Sequence, residues 1–484
     1  MRRRGVQIVC TIGPASREPE VLERLIDAGM GVARVNFAHG TEDQNRETIQ
    51  RIRAASRAKD QPVAVLQDLA GPKLRLGELE GDRLLLHQGD ELTLVCGAAK
   101  GNAQSLPVPD PDLAREVRPG GPIVIGDGAV ELEVLEVDAH KIRARVLIGG
   151  EIASGKGINA PGGLSERPII DEQDRADLKL GAELEVDLVG VSYVRTPDDL
   201  ASVRRALRAL GRPAPLVAKI ETARALEHLD GILARTDAVM VARGDLSLEI
   251  PYERVPIEQK RIVHAAIRAG RPVITATQML HSMVSASRPT RAEATDVANA
   301  VLDGTDAVML SDETAVGTDP VRVCRTMAQI VEETQTAFPD FPETPLDGMA
   351  EELRELVVFS RAAVRTARDV GAAAIVTWSR GGLAARLLSR QRPSVPILAP
   401  TRFEDTWRRL ALPYGVRPLL CPHGRLRPEQ VQAALGKLDA QDLMLVVGHI
   451  PGEQRRMPWM ALVRVSDSEG WNRDPRDGGP FSAP

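Results

Sequence analysis

The chain has 484 residues, a length at which one hydrophobic core no longer keeps growing, so we expect two or three domains. Hydrophobic residues make up 43% and charged residues 27% of the sequence, which is typical of a globular protein and excludes disordered and fibrous classes. The net charge of -5 and the 3% aromatic content argue against a nucleic-acid-binding protein, which needs a basic surface and often stacks bases on aromatic rings. We therefore predict no nucleic-acid partner.

The cysteines and the N-terminal segment indicate a cytoplasmic protein. The four cysteines lie far apart, with no CxxC pair, which favours free thiols in a reducing compartment over a disulfide framework. The apolar stretch after the first arginines is too short for a signal peptide, and no segment approaches the roughly 20 apolar residues of a membrane span. We predict a cytoplasmic location and no membrane partner.

Residues 1–70 and 164–344 share one rhythm, in which a short apolar strand is followed by a polar turn and an amphipathic helix. The predicted strands are Gln7–Ile12, Val32–Asn36, Val63–Asp68, Leu188–Tyr193, Leu216–Lys219, Ala238–Ala242, Val273–Ala276 and Ala307–Leu310. The clearest helical patterns are Glu18–Ala28, Asp43–Ala58, Pro197–Ala209 and Ile257–Ala269. Eight strands that alternate with helices predict an α/β fold, a (β/α)8 TIM barrel built from the two segments.

Two further units interrupt and follow the barrel. Residues 71–163 alternate in hydrophobicity with period two between Gly, Pro and Asp turns, which predicts a small β-barrel lid domain inserted after the third strand. Residues 345–465 combine a helix, the strand Ala374–Thr377, a glycine loop, a second helix and the strand Val395–Ala399. This order predicts a C-terminal α/β sandwich with a parallel sheet. Residues 466–484 are rich in Gly, Pro, Asp and Ser, so we expect a flexible tail.

Charged residues stand at the ends of four predicted barrel strands, where the active site of this fold lies. They are Arg34 with Asn36 in the second strand, Asp68 in the third, Lys219 with Glu221 in the fifth, and Gly244 with Asp245 after the sixth. Residues two apart in a strand share a face, so the members of each pair in the second and fifth strands point the same way. The pattern predicts one charged cluster at the mouth of the barrel.

The residue types in this cluster suit a hard divalent cation and an anionic substrate. Glu221 and Asp245 are the predicted metal ligands, because two carboxylates with room for water and substrate oxygens describe Mg²⁺ better than zinc, which favours His or Cys. Lys219 would neutralise charge on a transferring group. A short helix predicted to open at Gly244 would present free N–H groups to a carboxylate or phosphate. A ring of structural salt bridges is the alternative interpretation.

Six segments of the sequence, taken in order, resemble the pyruvate kinase family. They are Val9–Ser16, Ala33–Gly40, Lys219–Glu221, Met240–Leu246, Ala276–Leu280 and Arg288–Glu293. The resemblance spans the barrel, the insert and most of the third unit. It implies a magnesium-dependent transfer of the phosphoryl group of phosphoenolpyruvate to ADP, which gives pyruvate and ATP in the final step of glycolysis, with Mn²⁺ able to replace Mg²⁺. It also implies a homotetramer, the usual assembly of the family.

The resemblance further implies roles for residues that bind phosphoenolpyruvate. Lys219 matches the lysine of phosphoryl transfer, and Arg34 matches the arginine that faces the transferred group. Thr277 is similar to the threonine beside C3 of the enolate, placed to help protonation or to bind the substrate carboxylate. The implied substrate-binding set is Lys219, Arg34, Gly244, Asp245 and Thr277. Ser192 and Ser311 match serines in the wall of the active site.

A second group of residues matches positions that contact the nucleotide phosphates or close over them. These residues are Asn36, His39, Arg75 and Lys156. Because Lys156 lies in the insert, nucleotide binding is expected to bring that domain down as a lid.

The sequence departs from the family at the monovalent-cation site. Many members hold K⁺ with oxygens of an Asn, a Ser, an Asp and a Thr. Here Asn36 and Asp68 remain, but Ala38 and Leu69 replace the other two ligands. Lys73 stands where a glutamate is typical of K⁺-dependent members, and its ammonium can supply the charge of the ion. We predict that K⁺ is not required; a solvated loop lysine is the alternative interpretation.

The third unit departs further from the family pattern. Many members bind a sugar phosphate on a Ser/Thr-rich loop, and the corresponding segment Thr377–Leu383 has glycines and a helix start that could cradle a phosphate. The Thr-Ala-Gly usual near the end appears as Val447–His449, followed by an Arg- and Met-rich segment. An effector site and a purely structural unit both remain open.

Two other functions fit parts of the pattern. Another magnesium-dependent phosphoenolpyruvate or pyruvate barrel, such as a mutase or an aldolase, usually lacks both the insert after the third strand and Lys156. A catalytically silent relative that acts as a sensor or scaffold would have no need to retain Lys219, Glu221 and Asp245.

Overall fold

The computed structural model describes residues 5–126, 128–161, 167–338, 351–450 and 457–466. Residues 351–353, 449, 450 and 457 are described by their backbone alone. The predicted domain boundaries near residues 163 and 344 lie outside these ranges, as do residues 451–456 and all but the first residue of the predicted tail 466–484.

The chain starts with three parallel strands and two helices. They are β1 (Gln7–Thr11), α1 (Pro19–Ala28), β2 (Met30–Asn36), α2 (Glu42–Ala58) and β3 (Ala64–Asp68). Helix α1 begins with Pro19, whose fixed φ suits the first turn, and ends at Gly29, whose φ of 118° favours glycine. Helix α2 begins at a capping box, in which the side chain of Thr41 accepts the N–H of Gln44.

The insert after β3 is a separate β unit with its own core. Its elements are β4 (Leu74–Arg75), β5 (Glu78–Leu79), β6 (Arg83–Leu86), β7 (Glu91–Cys96), β8 (Lys100–Gly101), β9 (Ser105–Val108), α3 (Leu113–Glu116), β10 (Pro122–Ile125), β11 (Val130–Asp138), β12 (Lys141–Ile148), β13 (Gly150–Ala153) and β14 (Gly157–Asn159). Seven strands form one sheet in the order β4-β14-β10-β11-β12-β7-β9, and β13-β6 and β5-β8 form two short ribbons. In β12, Ile142, Ala144 and Val146 are buried and their neighbours exposed, the alternation that the sequence predicts.

The barrel resumes after the insert and runs to residue 337. Its elements are α4 (Glu172–Glu183), β15 (Leu188–Val191), α5 (Pro197–Ala209), β16 (Leu216–Ile220), α6 (Ala223–Glu227), α7 (Leu229–Arg235), β17 (Ala238–Ala242), α8 (Arg243–Leu246), α9 (Val255–Ala269), β18 (Val273–Ala276), α10 (Arg291–Asp303), β19 (Ala307–Leu310), α11 (Asp312–Ala315) and α12 (Pro320–Ala337). Two 3₁₀ turns, Tyr252–Arg254 and His281–Val284, precede α9 and α10.

Eight parallel strands close the barrel in the order β1-β2-β3-β15-β16-β17-β18-β19. The two segments join where β3 pairs with β15, with Leu66 opposite Leu188. All eight predicted strands are present, and their ends differ from the predicted ones by at most two residues. Apolar side chains such as Val32, Met240 and Ile274 fill the interior, so the barrel is a packed core and its mouth is left for chemistry.

The third unit is an α/β sandwich around a five-stranded sheet. Its elements are α13 (Glu351–Asp369), β20 (Ala374–Val376), α14 (Leu383–Arg390), β21 (Ile397–Thr401), α15 (Glu404–Arg409), β22 (Val416–Leu420), α16 (Pro428–Leu435), β23 (Leu443–Ile450) and β24 (Met457–Arg464). The sheet order is β22-β21-β20-β23-β24. Four strands are parallel, as predicted, whereas the edge strand β24 is antiparallel to β23, which the sequence pattern did not indicate.

The third unit docks on the end of the barrel opposite the mouth. Asp187 immediately precedes β15, and its two carboxylate oxygens bind Arg408 of the third unit at 2.8 Å and Arg53 of α2 at 2.7 Å. Asp306 immediately precedes β19 and binds Arg392 at 3.2 Å. Both aspartates mark the N-terminal ends of barrel strands, so the mouth faces the insert instead.

All four cysteines are buried and free, as their spacing predicts. In the part of the chain that the structure describes, no helix is long and apolar enough to cross a membrane.

Candidate active site

Lys219 lies at the centre of the barrel mouth. It is on β16, with only 8% of its surface exposed, and its Nζ lies 2.9 Å from Glu221 Oε1 and 3.3 Å from Asp68 Oδ1. Nζ also donates a hydrogen bond of 2.7 Å to Ser192 Oγ, which in turn donates to the carbonyl of Leu69. Burial by itself lowers the pKa of Lys219, but the charges of Asp68 and Glu221 outweigh it and raise that pKa. The ammonium therefore stays charged at neutral pH.

Arg34 is held beside this lysine by the same aspartate. Its Nε and Nη2 lie 2.7 and 2.6 Å from Asp68 Oδ2, and its Nη1 donates to Thr11 Oγ1 at 3.0 Å. Burial raises the pKa of Asp68, but Lys219 and Arg34 together outweigh burial and lower it. Asp68 is thus an ionised bridge that orients two cations toward the mouth.

The two predicted metal ligands lie on either side of Tyr193. Glu221 Oε2 accepts the backbone N–H of Tyr193 at 2.6 Å, and Asp245 Oδ1 accepts the hydroxyl of the same tyrosine at 3.3 Å. Burial raises the pKa of Glu221, as does the charge of Asp245, although Lys219 acts in the opposite sense. A cation between the two carboxylates would relieve their repulsion.

The donor set at the mouth fits Mg²⁺ or Mn²⁺. Among the described residues no group of three or more His, Cys, Asp or Glu side chains is placed to hold a metal ion. A pair of carboxylates is nevertheless the usual protein share of a magnesium site, because Mg²⁺ keeps several waters and takes substrate oxygens. Glu221 is buried and Asp245 is partly exposed, so the open side of the pair faces the mouth.

Thr277 stands in a strained backbone conformation that Arg243 stabilises. Its φ of 70° lies in the left-handed region, which threonine rarely adopts. Arg243 donates from Nε to the carbonyl of Ala276 at 3.1 Å and from Nη2 to the carbonyl of Thr277 at 2.7 Å. Its Nη1 binds Asp296 at 2.7 Å, which anchors the guanidinium to α10. This network aims the hydroxyl of Thr277 at α8.

One sequence expectation at this point needs correction. The N–H of Gly244 was expected to be free for a carboxylate or phosphate, but in the structure it donates to Thr277 Oγ1 at 2.8 Å. The hydroxyl of Thr277 donates in turn to the carbonyl of Ala276 at 2.7 Å. The short helix α8 exists, but it begins one residue earlier, at Arg243, and its glycine N–H positions the threonine.

The predicted nucleotide-binding residues come from both sides of the mouth. Asn36 ends β2, and its Oδ1 accepts the N–H of Ala38 at 3.2 Å. Partial burial and the charges of Arg75, Arg34 and Lys73 lower the pKa of His39. Because the charges of Arg75 and Lys73 act on His39, the loop after β2 lies opposite the start of the insert.

Arg75 ends β4, and Lys156 immediately precedes β14, the strand that pairs with β4. Arg75 pairs in register with Gly157, and its Nη1 donates to the carbonyl of Gly155 at 3.1 Å. Lys156 is exposed beside Gly157, and the contact that joins this region directly to the metal carboxylates comes from Lys73, whose Nζ lies 3.6 Å from Asp245 Oδ1. The structure thus brings Lys73 to the barrel residues and leaves Lys156 on the surface of the insert.

The residues that replace the two missing monovalent-cation ligands are apolar and tightly placed. Leu69 is 2% exposed and Ala38 is half-buried, and neither has an oxygen in its side chain. Asp68, the surviving charged ligand, is bound to Arg34 and Lys219. The ammonium of Lys73 lies beside Asp245.

Ser311 and the glycine loop of the third unit have structural contacts. The N–H of Ser311 donates to Glu313 Oε2 at 2.6 Å at the start of α11. In the loop, the N–H of Ser379 donates to the carbonyl of Pro400, and Gly382 has a φ of 81° as the residue before α14. The loop therefore joins β20 to α14 as predicted.

Tyr193 and Arg243 contact the predicted site residues, and the sequence pattern did not indicate either of them. The strand expected to end at Tyr193 stops at Val191, and Tyr193 has a φ of 54° that turns its ring into the core of the insert. A polar-tipped aromatic directly after Ser192 at a strand end was the available signal. Arg243 could have been found from its place next to Gly244 at the end of β17.

Two protein-family models and several known proteins are similar to this chain. The model of the pyruvate kinase barrel domain matches residues 3–324, and that of the pyruvate kinase alpha/beta domain matches residues 358–456. The chain is 43% identical over 423 residues to pyruvate kinase 2 of Synechocystis sp., covering 86% of this chain and 71% of the relative. It is 39% identical over 464 residues to the pyruvate kinase of Mycobacterium tuberculosis, covering 93% of this chain and 96% of that relative. The pyruvate kinase of Geobacillus stearothermophilus is 38% identical over 477 residues, which cover 96% of this chain and 81% of the relative.

These matches extend over the barrel with its insert and over the third unit, and their identities exceed a third of the aligned residues in each case. The other barrel enzymes considered from the sequence do not account for a match of both domains in order. The chain belongs to the pyruvate kinase family.

Proposed function

We propose that the barrel mouth performs the phosphoryl transfer of this family with Lys219 at its centre. As a member of the family the chain is a phosphotransferase, whose reaction converts phosphoenolpyruvate and ADP to pyruvate and ATP. The observation that supports the residue assignment is the convergence of a buried lysine with Asp68 and Glu221, which lie within 3.3 Å of its Nζ at the ends of barrel strands.

Glu221 and Asp245 would hold Mg²⁺, and Mn²⁺ would bind the same oxygen ligands. When bound, such an ion acts as a Lewis acid on substrate oxygens and helps to orient the two substrates. The hydrogen bonds from Tyr193 to both carboxylates support the assignment, because ligands of a metal are usually oriented by a second layer of donors.

The side chains of the mouth would then act on the substrate in three ways. Lys219 and Arg34, fixed in place by Asp68, neutralise the charge of the phosphoryl group as it leaves the enolate oxygen. Thr277 is the residue from whose side a proton reaches C3 of the enolate, and it joins Gly244 and Asp245 in binding the substrate. The hydrogen bond from Gly244 to Thr277 Oγ1 fixes where that hydroxyl points.

Asn36, His39, Arg75 and Lys156 are proposed to receive the nucleotide phosphates, with the insert closing as a lid. Partial burial and the cations around His39 lower its pKa, so the imidazole is neutral at physiological pH and the positive charge comes from Arg75 and Lys156. Three further proposals rest on the sequence: independence from K⁺ through Lys73, a homotetramer, and a cytoplasmic location.

The first experiment is an assay of pyruvate formation from phosphoenolpyruvate and ADP with Mg²⁺, comparing wild type with Lys219→Met. We expect the variant to lose turnover by roughly a thousandfold, because it removes a charge that acts in the transition state. Lys179→Met, on the exposed face of α4, is the matched control and should keep wild-type turnover. Absence of pyruvate with the wild-type protein would instead favour the silent-relative interpretation.

A further inference from the structure

A second concentration of positive charge lies at the other end of the barrel, in a cleft between the barrel and the third unit. The cleft encloses a volume of about 20 Å³ and is open to solvent beyond it. Its walls include Gly270–Pro272 and Asp306 from the barrel and Arg386, Arg390 and Arg392 from the third unit, and we call it the seam cleft. It adjoins the starts of β18 and β19, so it is separate from the mouth at their ends.

Arg390, the last residue of α14, is the unusual member of the seam cleft. It is 7% exposed, and its Nε and Nη1 are buried without a hydrogen-bond acceptor among the described residues. Its third nitrogen, Nη2, donates to the carbonyl of Arg268. Nη1 approaches Gly270 so closely that a Cβ there would lie 3.1 Å from it, and the φ of 67° at Gly270 also favours glycine. The guanidinium is therefore firmly seated with two donors unused.

The surrounding charges do not compensate Arg390. Arg271 and Arg386 bring further positive charge to the same walls. The carboxylate of Asp306 is already bound by Arg392 at 3.2 Å and by the N–H groups of Val273 and Tyr414 at 2.9 and 3.2 Å. The cleft thus holds an excess of guanidinium groups over available acceptors.

A buried guanidinium with unused donors is unfavourable, and the usual remedies are loss of the proton or a bound anion. Burial and the charge of Arg361 lower the pKa of Arg390 to about 10, which still leaves it charged at neutral pH. The remaining remedy is an oxyanion, and adjacent donors of one guanidinium match the oxygens of a phosphate.

We propose that the seam cleft binds a phosphate group, with Nε and Nη1 of Arg390 as its donors and Arg271 and Arg386 beside it. Such a ligand would join the barrel to the third unit without touching the mouth. The site is also distinct from the glycine loop Thr377–Leu383, because Arg390 lies at the opposite end of α14 from that loop.

The test measures phosphate binding by isothermal titration calorimetry and by the melting temperature, at constant ionic strength set with chloride. Wild type is compared with Arg390→Leu, with Lys219→Met to remove phosphate binding at the mouth, and with the double variant. We expect Arg390→Leu to weaken phosphate binding at the seam at least tenfold and to abolish that part of the thermal stabilisation. Without phosphate, Arg390→Leu should melt no lower than wild type, because it removes a buried charge that lacks a partner.

Two ligands distinguish binding of a free phosphate ion from binding of a phosphate monoester. Inorganic phosphate tests the free ion, and glycerol 3-phosphate tests a monoester, each against chloride alone. A response that survives Lys219→Met and disappears with Arg390→Leu supports the proposal, and the ligand that gives it identifies the source. Arg325→Leu, which removes one exposed charge from α12, should leave the response intact.

Two results would overturn the proposal. One is an equal phosphate response in wild type and Arg390→Leu, and the other is a response lost only with Lys219→Met, which would assign all binding to the mouth. If Arg390→Leu fails to fold, Arg386→Gln at the exposed rim of the cleft takes its place, and unchanged phosphate affinity in that variant would count against the site.

Discussion

The barrel mouth and the seam cleft both bury positive charge, but the pKa of the buried cation is raised at the mouth and lowered at the seam. At the mouth, burial tends to lower the pKa of Lys219, but the carboxylates of Asp68 and Glu221 outweigh it and raise that pKa. At the seam, burial and the charge of Arg361 lower the pKa of Arg390 to about 10. Burial is common to both sites, so the placed carboxylates are what keep a cation strongly charged where chemistry needs it.

Buried carboxylates show the same contrast. Asp68 and Asp174 are each 1% exposed. Burial raises the pKa of both, but Lys219 and Arg34 reverse the shift at Asp68 and leave it lowered. At Asp174, burial and the charges of Asp171 and Asp177 outweigh the hydrogen bonds from the N–H groups of Gly71 and Asp171, and the pKa rises to about 6. At the mouth, buried charges of opposite sign therefore offset the effect of burial on the pKa. At the start of α4 and in the seam cleft, neighbouring charges of the same sign add to that effect.

The largest effect should come from breaking this cluster of opposite charges at the mouth with Asp68→Asn. The substitution leaves Arg34 and Lys219 without their shared counterion, so we expect a loss of roughly 3–5 kcal/mol in the free energy of unfolding. Turnover should fall about a thousandfold, because both cations lose their orientation. Urea unfolding and the pyruvate assay measure the two effects.

The wild-type protein gives an internal check on Asp68. A carboxylate with a lowered pKa in the folded state stabilises the fold above its unfolded pKa of about 3.8 and loses that contribution as the pH falls further. The stability difference between wild type and Asp68→Asn should therefore shrink below pH 4. A difference that stays constant down to pH 2 would show that the charge of Asp68 is not the cause.

The next effect concerns the carboxylate of Asp174 and has the opposite sign. The folded pKa of Asp174 is about 6 and its ordinary value is 3.8, so its ionisation weakens the fold progressively from about pH 4 to pH 6. Relative to wild type, Asp174→Asn should gain up to roughly 3 kcal/mol in unfolding free energy across that interval. Thermal or urea unfolding at pH 4, 5, 6 and 7 measures it.

Glu172→Gln is the control for Asp174, because it removes an exposed acid from the same helix. Its stability relative to wild type should be nearly independent of pH over this range. Parallel pH curves for wild type and Asp174→Asn would contradict the raised pKa.

The sequence predicted the barrel well because each strand is short, apolar and bounded by turn residues. In β17, Ala238–Ala242 is buried throughout, and its end is set by the polar Arg243 and by Gly244. The cluster at the mouth followed from the same logic, since strand ends of a barrel converge. For that reason Lys219 lies within ion-pair distance of both Glu221 and Asp68.

The parts that the sequence did not predict depend on packing between distant segments. Tyr193 leaves its strand with a positive φ and joins the core of the insert, a contact that no local pattern encodes. The N–H of Gly244 is taken by Thr277, 33 residues away in sequence. Nε and Nη1 of Arg390 have no acceptor among the described residues where α14 packs against the end of α9, and in the sequence Arg390 is an ordinary helical arginine.

A smaller effect is expected from Lys73, a cation of the insert that lies beside the carboxylate of Asp245 at the mouth. Its Nζ lies 3.6 Å from Asp245 Oδ1, and Lys73→Glu would place like charges there. In a buffer whose only monovalent cation is tetramethylammonium, we expect wild type to turn over and the variant to lose about tenfold, with partial rescue by KCl. Lys141→Glu, exposed on the insert, is the control. Wild-type activity that depends on added KCl would contradict the predicted role of Lys73.

The smallest effect should come from Tyr193→Phe, which keeps the ring and removes one hydroxyl. The ring packs in the core of the insert, so the melting temperature should hardly change. The hydrogen bond to Asp245 Oδ1 is long, at 3.3 Å, and partly exposed. Its loss should cost about 1 kcal/mol of the free energy of Mn²⁺ binding, which is a roughly fivefold weaker affinity. Electron paramagnetic resonance of free Mn²⁺ measures this in the absence of substrate.

The control for this variant is Tyr252→Phe, because Tyr252 is 77% exposed and, among the described residues, its hydroxyl makes no hydrogen bond to Glu221 or Asp245. It should bind Mn²⁺ as wild type does. If Tyr193→Phe also binds Mn²⁺ as tightly as wild type, the hydroxyl does not orient Asp245, and Lys73 would be the side chain through which the insert influences that carboxylate. If Mn²⁺ binding weakens while the fold is unchanged, the core of the insert is connected to the metal site through one tyrosine. The insert that is proposed to close as a lid would then also help to position Asp245.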